Sequence, residues 1–411
     1  MSNLDERLAV LYGAGAMEKQ KERYSRAYER FAELFGADCG SAGGGPLYFR
    51  APGRTEIGGN HTDHQHGQVL AAAIDRDILA VAAPADDAIR IYSEGFGWIG
   101  TVPAEEGTAN ALVYGMVEGM LQNGHEAGGF CAYITSDVPG GTGLSSSAAF
   151  EVLVGPLLNE LYNGGNVPAD EIAHIAQAAE NDYYGKPCGL MDQTACATGG
   201  LCHIDFADPS APAVNKMDVD ISELGYRICI TDTHGSHAEF TEDYIAVRTD
   251  LAAAASVFGK EVLEGVTLGE VIAHSDEIRQ AGGDRAFLRA MHVASENERV
   301  AMEALALRQK NMPAFLKLVR QSGNSSYTLL QNVHTDRVPE RQELAVALAV
   351  SEAVLGDDAA CRVHGGGFAG TIQAFVPEAQ VSRYISAMDD VFGEGSCFVI
   401  RVCPEGGVRV I

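Results

Sequence analysis

The 411-residue sequence predicts a two-domain α+β protein. Apolar residues make up 46% against 21% charged, which is ample side chain to bury a core. At about 150 residues per domain, the length accommodates two or three domains. Stretches with helical periodicity alternate with short β-branched runs, the pattern of mixed helices and strands. The segment Ala207–Asp220 is turn-rich, carries Pro209 and Pro212, and has little periodicity. The domain boundary is placed there, giving domains 1–212 and 213–411.

In the first half, Tyr24, Ala27, Tyr28, Phe31, Leu34 and Phe35 share one face of a helix over Glu18–Phe35. A glycine-rich break at Gly43–Gly45 precedes a strand at Leu47–Phe49. Val69–Ala83 reads as one or two strands, and Ile89–Tyr92 and Phe130–Ser136 as two more. From Ser145 the spacing of Phe150, Leu153, Val154, Leu157, Leu158 and Leu161 predicts a helix, followed by another over Asp170–Tyr184. In the second half, strands are expected at Arg227–Asp232, Gly370–Val376 and Cys397–Val402. Helices are expected at Tyr244–Phe258, Ala286–Gln309, Gln342–Val354 and Val381–Val391. That order suggests helices packed on an antiparallel sheet.

Lys and Arg total 29 and Asp and Glu 56, a formal net charge of −27 that argues against nucleic-acid or anionic-membrane binding. No apolar run reaches the ~18 residues of a membrane span. MSNLDERLAV lacks the basic flank of a secretory leader. The nine cysteines form no C-x-x-C pair and read as reduced thiols. A cytoplasmic location follows as the expectation, and nothing in the chain points to a protein partner.

The most informative segment is Asp137–Ala149, DVPGGTGLSSSAA. A strand ends in a glycine-rich turn, and small hydroxyl residues open a helix. First-turn amides of a helix lack internal partners and carry partial positive charge, so a phosphate can dock there. Gly141 and Gly143 let the anion approach the backbone, while Ser145, Ser146 and Ser147 add donors. A plain N-capped helix would need only one such serine. No Gly-Lys-Ser/Thr closes the loop, so it is not a Walker A motif.

This segment resembles the second signature of the GHMP sugar and small-alcohol kinases, P-x-x-x-G-L-[GS]-S-S-A. APGRTEIGGNHTDHQHG, at Ala51–Gly67, is similar to the galactokinase signature G-R-[VI]-N-[LI]-I-G-E-H-T-D-Y-x-x-G. RVHGGGFAGTIQAF, at Arg362–Phe375, resembles the third signature, and CGLMDQTACATGG, at Cys188–Gly200, the segment holding the catalytic aspartate. The chain is identified as a galactokinase-type member of the GHMP kinase family. The resemblance implies an N-terminal ribosomal-S5-like domain, a C-terminal ferredoxin-like sandwich and an active site in the cleft between them. It implies ATP-dependent phosphorylation of a sugar's anomeric hydroxyl, with Mg2+.

Carried over residue by residue, Asp192 accepts the hydroxyl proton. Arg54 supplies a permanent cation beside that carboxylate and attracts the γ-phosphate. A structural Asp–Arg pair is the alternative. Glu180, twelve residues before Asp192, and Ser147 match the magnesium ligands. Both offer the hard oxygens that Mg2+ takes. His61, Asp63 and Tyr244 match sugar-contacting residues, although the H-x-D-H-x-H spacing of His61, Asp63, His64 and His66 would also suit zinc. Phe368 reads as packing. Asn60, Glu56 and His64 depart from the family's glutamate, asparagine and tyrosine. The glutamate contacts the sugar's 6-hydroxyl, so Asn60 is expected at that position and opens galacturonate, or another modified galactose, as an alternative to galactose. A non-catalytic galactose sensor is a third reading. Sensors lose residues of the Ser146–Ala149 segment, which is intact here.

Overall fold

The computed structural model describes residues 3–36, 45–85, 88–235 and 240–411. Gly43 and Gly44 of the first glycine cluster, and Cys39, lie outside the described residues. The first part of the chain forms α1 (Asn3–Tyr12), α2 (Met17–Phe35), β1 (Leu47–Gly58), β2 (Gln68–Pro84), β3 (Arg90–Ser93), β4 (Gly97–Ile99), α3 (Ala109–Gln122) and β5 (Phe130–Ser136). Then come α4 (Ser146–Tyr162), α5 (Ala169–Ala178), α6 (Met191–Thr198), β6 (Leu201–Asp205) and β7 (Ala213–Met217). The remainder forms β8 (Tyr226–Asp232), α7 (Thr241–Ser256), α8 (Leu268–Ala273), α9 (Ser275–Arg308), α10 (Met312–Ser325) and α11 (Glu343–Leu355). It closes with β9 (Ala360–Val363), β10 (Thr371–Pro377), α12 (Val381–Phe392), β11 (Cys397–Ile400) and β12 (Val408–Arg409).

The first sheet runs β12-β1-β2-β5-β3-β4, with β6 pairing the early half of β2 and β7 pairing β6. β2 explains its own unbroken apolar sequence. Ile74, Ile78, Ala80 and Ala82 face the main core, and Ala73, Leu79, Val81 and Ala83 face α1 and α2. A strand covered on both faces shows no polar alternation. On α2, Tyr24, Ala27, Phe31 and Phe35 are buried as expected, whereas Tyr28 is 44% exposed because the buried stripe is narrower than the apolar one. α4 is the central helix: Ala148, Val152, Leu153, Leu157 and Leu158 are all buried.

The second sheet, β11-β8-β10-β9, is antiparallel throughout. Its two faces separate by residue parity. Cys229, Ile372, Ala374 and Val376 pack with Tyr384 of α12 and Leu344 of α11. Ile228, Ile230 and Phe375 join Phe315 and Val319 of α10 in the main core, which is continuous with the first sheet. β7 lies beyond residue 212 yet pairs with β6, and β12 returns the chain to β1. The first sheet is thus built from both halves of the sequence.

One cysteine departs from the reduced-thiol reading. Cys131 on β5 is disulfide-bonded, while Cys188, Cys196, Cys202, Cys229, Cys361, Cys397 and Cys403 are free. The absence of a C-x-x-C pair does not by itself exclude a disulfide. Among the described residues no helix is long and apolar enough to cross a membrane.

Asp77 ties α1 and α2 to the first sheet. Its fully buried carboxylate accepts from Arg23 Nη1 at 2.6 Å, from Tyr12 Oη at 2.5 Å, and from Arg50 Nε. Burial pushes the Asp77 carboxyl up, but Arg50 and Arg23 more than offset it and hold it below the ordinary carboxylate range. Asp77→Ala leaves the buried Arg50 guanidinium without its counter-charge and leaves Arg23 with only Asp137, at 3.3 Å. The expected cost is about 3–5 kcal/mol, read as a lower urea midpoint at unchanged m-value.

Candidate active site

Arg54 and Asp192 meet as a two-pronged ion pair. Arg54 Nε donates to Asp192 Oδ1 and Nη2 to Oδ2, both at 2.7 Å. β1 shifts register between Pro52 and Arg54, a bulge that re-aims the strand. The Arg54 backbone N–H then donates to Leu144 O at 3.1 Å, and its Nη1 donates to Gly143 O. Asp192 lies in the first turn of α6 with its side chain 31% exposed, against 7% for Arg54. The carboxylate therefore stands at an open surface while its partner is enclosed.

The glycine-rich turn opens α4 as the sequence predicts. Gly141 and Gly143 have φ of 77° and 69°, in the left-handed region that glycine enters without strain. Ser145 takes the N-cap position with φ 58° and donates its hydroxyl to Asp192 Oδ2 instead of capping the helix. The first-turn amides of α4 have no partner within the helix. This loop is also tied to the third signature. Thr371 Oγ1 donates to Thr142 O at 2.8 Å, and His364 Nδ1 lies 2.9 Å from Thr371 Oγ1. His364 Nε2 lies 2.9 Å from Thr55 Oγ1 on β1. Since the Thr371 hydroxyl proton is already used, the network assigns the proton of His364 to Nδ1.

The His61–Gln65 segment forms a directed chain of hydrogen bonds. Gln65 Oε1 accepts from Leu263 N at 3.1 Å, which turns Gln65 Nε2 toward His64 Nδ1, also at 3.1 Å. His64 Nε2 lies 3.0 Å from His61 Nδ1, and His61 Nε2 lies 2.9 Å from Gly366 O. Each imidazole thus donates from Nε2 and accepts at Nδ1, the neutral tautomer. Enclosure lowers His61 to about 4 and takes His64 well below its ordinary value. Every imidazole nitrogen of the pair has a protein partner. Asp63 projects past Gly189, where any side chain would meet its carboxylate. Burial raises the Asp63 carboxyl above its usual value, and the nearby charge of Asp192 adds to that.

Tyr244, in the first turn of α7, donates its hydroxyl to Gly367 O at 2.6 Å and packs edge-on against Phe368, with ring centroids 5.3 Å apart. Phe368 is buried, as its packing role requires.

Asn60 stands behind the wall of this site and is fully buried. Its Nδ2 donates to Gly365 O at 2.5 Å and to Glu56 Oε1 at 3.2 Å. Its Oδ1 accepts from Asn332 Nδ2 at 2.8 Å and Ser326 Oγ at 3.2 Å. The amide has no donor or acceptor left over, so the reach to a sugar 6-hydroxyl expected of Asn60 is not available in this geometry. A carboxylate at this position would join Glu56 and Glu296, which already flank it.

Glu180 and Ser147 come together as expected. Ser147 Oγ donates to Glu180 Oε1 at 3.4 Å, and Glu180 Oε2 accepts from Gln193 Nε2 at 2.8 Å. Glu180 sits in a single π-helical turn, Ala179–Tyr183, where the expected helix widens. A hydroxyl and an anchored carboxylate, both hard oxygen donors, suit Mg2+.

Several contributors escaped the sequence reading. Arg362, the first residue of the third signature, is fully buried and donates to Ile57 O at 2.8 Å and to Glu56 Oε1. His292, Glu296, Arg299 and Glu303 form a polar stripe on the buried face of α9. His292 Nε2 meets Asn60 O at 2.9 Å, and Glu296 Oε1 receives the N–H groups of Gly59 and Asn60 at 3.3 and 3.4 Å. Their spacing of four, three and four residues was the available signal.

The profile of the GHMP kinases N terminal domain matches residues 111–200, and the galactokinase galactose-binding signature matches residues 29–84. Fold and site together define a small-molecule kinase of the GHMP class. A galactokinase of Streptomyces coelicolor is 30% identical over 392 residues, covering 93% of this chain and 97% of the relative. One of Glaesserella parasuis is 33% identical, covering 88% and 94%. The crystal structure of Lactococcus lactis galactokinase complexed with galactose superposes with a TM-score of 0.80 at 27% identity, covering 94% of this chain and 99% of that one. The chain belongs to the galactokinase family, phosphotransferases that act on a sugar hydroxyl with ATP.

The neutral histidine pair has a pH consequence. The folded value for His61, about 4, lies below its ordinary 6.5, so the unfolded chain binds more protons between the two. The stability tied to neutral His61 is complete above pH 6.5 and is lost as pH falls toward 4. The urea midpoint should fall across that window, and His61→Asn should flatten the fall.

Proposed function

We propose that this chain transfers the γ-phosphoryl group of ATP to the anomeric hydroxyl of galactose, giving galactose 1-phosphate. The observation that carries the reading is the Arg54–Asp192 ion pair at the mouth of the phosphate loop. Asp192, the exposed partner, orients the sugar hydroxyl and receives its proton. Arg54 uses three of its five N–H groups on Asp192 and Gly143 O, leaving two for a phosphoryl oxygen. Ser145 braces the carboxylate, and the first turn of α4 receives the nucleotide phosphates along Gly141–Ser147. His61, Asp63 and Tyr244 form the sugar side. Ser147 and Glu180 would hold Mg2+, which neutralises charge on the phosphate oxygens when bound. The galactose in the Lactococcus lactis complex supports galactose as the acceptor here. The two lobes flanking this cleft, expected as 1–212 and 213–411, are proposed as its working parts, in a cytoplasmic enzyme.

Asn60 acts in this reading as a positioning residue that fastens the sugar segment to the Gly365–Gly367 loop. Galacturonate stays as a second acceptor on a different observation. Arg248 is exposed, makes no ion pair among the described residues, and lies one helical turn from Tyr244, where its charge acts on His61, Asp63 and His64.

An acceptor screen that follows ATP consumption over galactose, galacturonate, glucose and N-acetylgalactosamine, with the product identified by phosphorus NMR, tests the reading. Galactose 1-phosphate is expected, and ATP turnover with none of these sugars would contradict it. Asp192→Ala should lower turnover by at least about 10²-fold while leaving nucleotide affinity within about threefold. Near-normal turnover would remove Asp192 from the mechanism.

A further inference from the structure

Glu180 already holds a cation. Lys186 Nζ lies 2.9 Å from Glu180 Oε1, the same oxygen that accepts from Ser147. The partners differ widely in exposure, the Glu180 side chain at 3% and that of Lys186 at 61%. The carboxylate is anchored from within. Gln193 Nε2 holds Oε2 and also donates to Glu151 Oε2 at 3.2 Å. Lys186 instead reaches in from the loop between the π-helical turn and α6. That loop is set by Lys186 N donating to Glu180 O at 3.0 Å and Cys188 N donating to Asn181 Oδ1 at 2.7 Å. The backbone is held by these bonds, while the four-carbon stem is largely exposed.

A magnesium ion bound to Glu180 Oε1 would sit about 2.0–2.1 Å from that oxygen. An ammonium hydrogen-bonded to the same oxygen would then face a divalent charge at close range, so the two cations compete. The ammonium has a second anion within reach. Metal-bound ATP brings its phosphates to the first turn of α4, beside Ser147 and therefore beside Glu180. Lysine suits such an exchange because its compact charge rides on a flexible stem with three rotatable donors. We propose that Lys186 is a displaceable counter-ion, neutralising Glu180 while the cleft is empty and moving onto a phosphate of the incoming metal–nucleotide complex. This rests on the reading that Glu180 and Ser147 hold the metal ion of ATP. It adds Lys186 to the nucleotide site, with opposite effects on the bare metal and on the metal–nucleotide complex.

Lys186→Met keeps the stem and removes the charge. Mn2+ binding to the sugar-free, nucleotide-free protein, followed by electron paramagnetic resonance, reads the first effect. Calorimetry of MgATP reads the second. In Lys186→Met, Mn2+ should bind about tenfold tighter and MgATP about tenfold weaker, and Lys186→Arg should restore both toward wild type. An ordinary surface ion pair would not produce opposite signs in the two assays. No change in either, or a change of the same sign in both, overturns the proposal. Glu180→Gln separates it from the reading beneath it. That variant should lose Mn2+ binding, and Mn2+ affinity equal to wild type would remove the metal assignment and the role of Lys186 with it.

Discussion

The bidentate contact between Arg54 and Asp192 is the interaction on which the site depends. It joins a strand of the first sheet to the first turn of α6, 138 residues later in the chain. Its geometry is set by the bulge in β1, by the backbone contact of Arg54 with Leu144, and by Ser145 holding the far side of the carboxylate. A guanidinium fork fixes both distance and plane of its partner, which a lysine would not do. The Gly141–Ser145 loop, β1 and α6 are registered by one ion pair.

Around that pair, the wall of the cleft is a nearly continuous polar network. Thr142, Thr371, His364 and Thr55 connect the phosphate loop to the third signature and back to β1. Arg362, Glu56, Asn60, Asn332 and Ser326 fasten the sugar segment to the glycine loop. Networks of this kind rigidify when every member is satisfied and are costly when one is removed. Here they fix β1 and the two glycine-rich loops relative to one another, the kind of preorganisation that the proposed phosphoryl transfer by positioning and electrostatics requires. Lys186 stands apart from this rigidity as the exposed cation in direct contact with the proposed metal ligand.

The local patterns were legible where one element controls them. The helix after Ser145, the strands at Phe130–Ser136 and Arg227–Asp232, and the antiparallel second sheet follow from periodicity and turn chemistry. The meeting of Arg54 with Asp192, and of Ser147 with Glu180, was legible through the ordered motifs. What stayed hidden depends on long-range packing. Asn60 reads as a pocket residue by position in its motif, but Gly365, Asn332 and Ser326 approach from more than 260 residues away and consume its side-chain amide. The return of β12 to β1 is likewise a pairing between distant positions, which local pattern does not encode. Lys186 was overlooked because one lysine in a loop has no periodicity to betray it.

A double-mutant cycle on kcat/KM for galactose, using Arg54→Gln, Asp192→Asn and both together, tests the central claim most directly. If the two side chains work as one unit, each single change lowers kcat/KM by at least about 10²-fold, and the double variant falls no more than about tenfold below the worse single. Losses that simply multiply in the double variant would show two independent residues, and would contradict the account of a single ion pair organising the site.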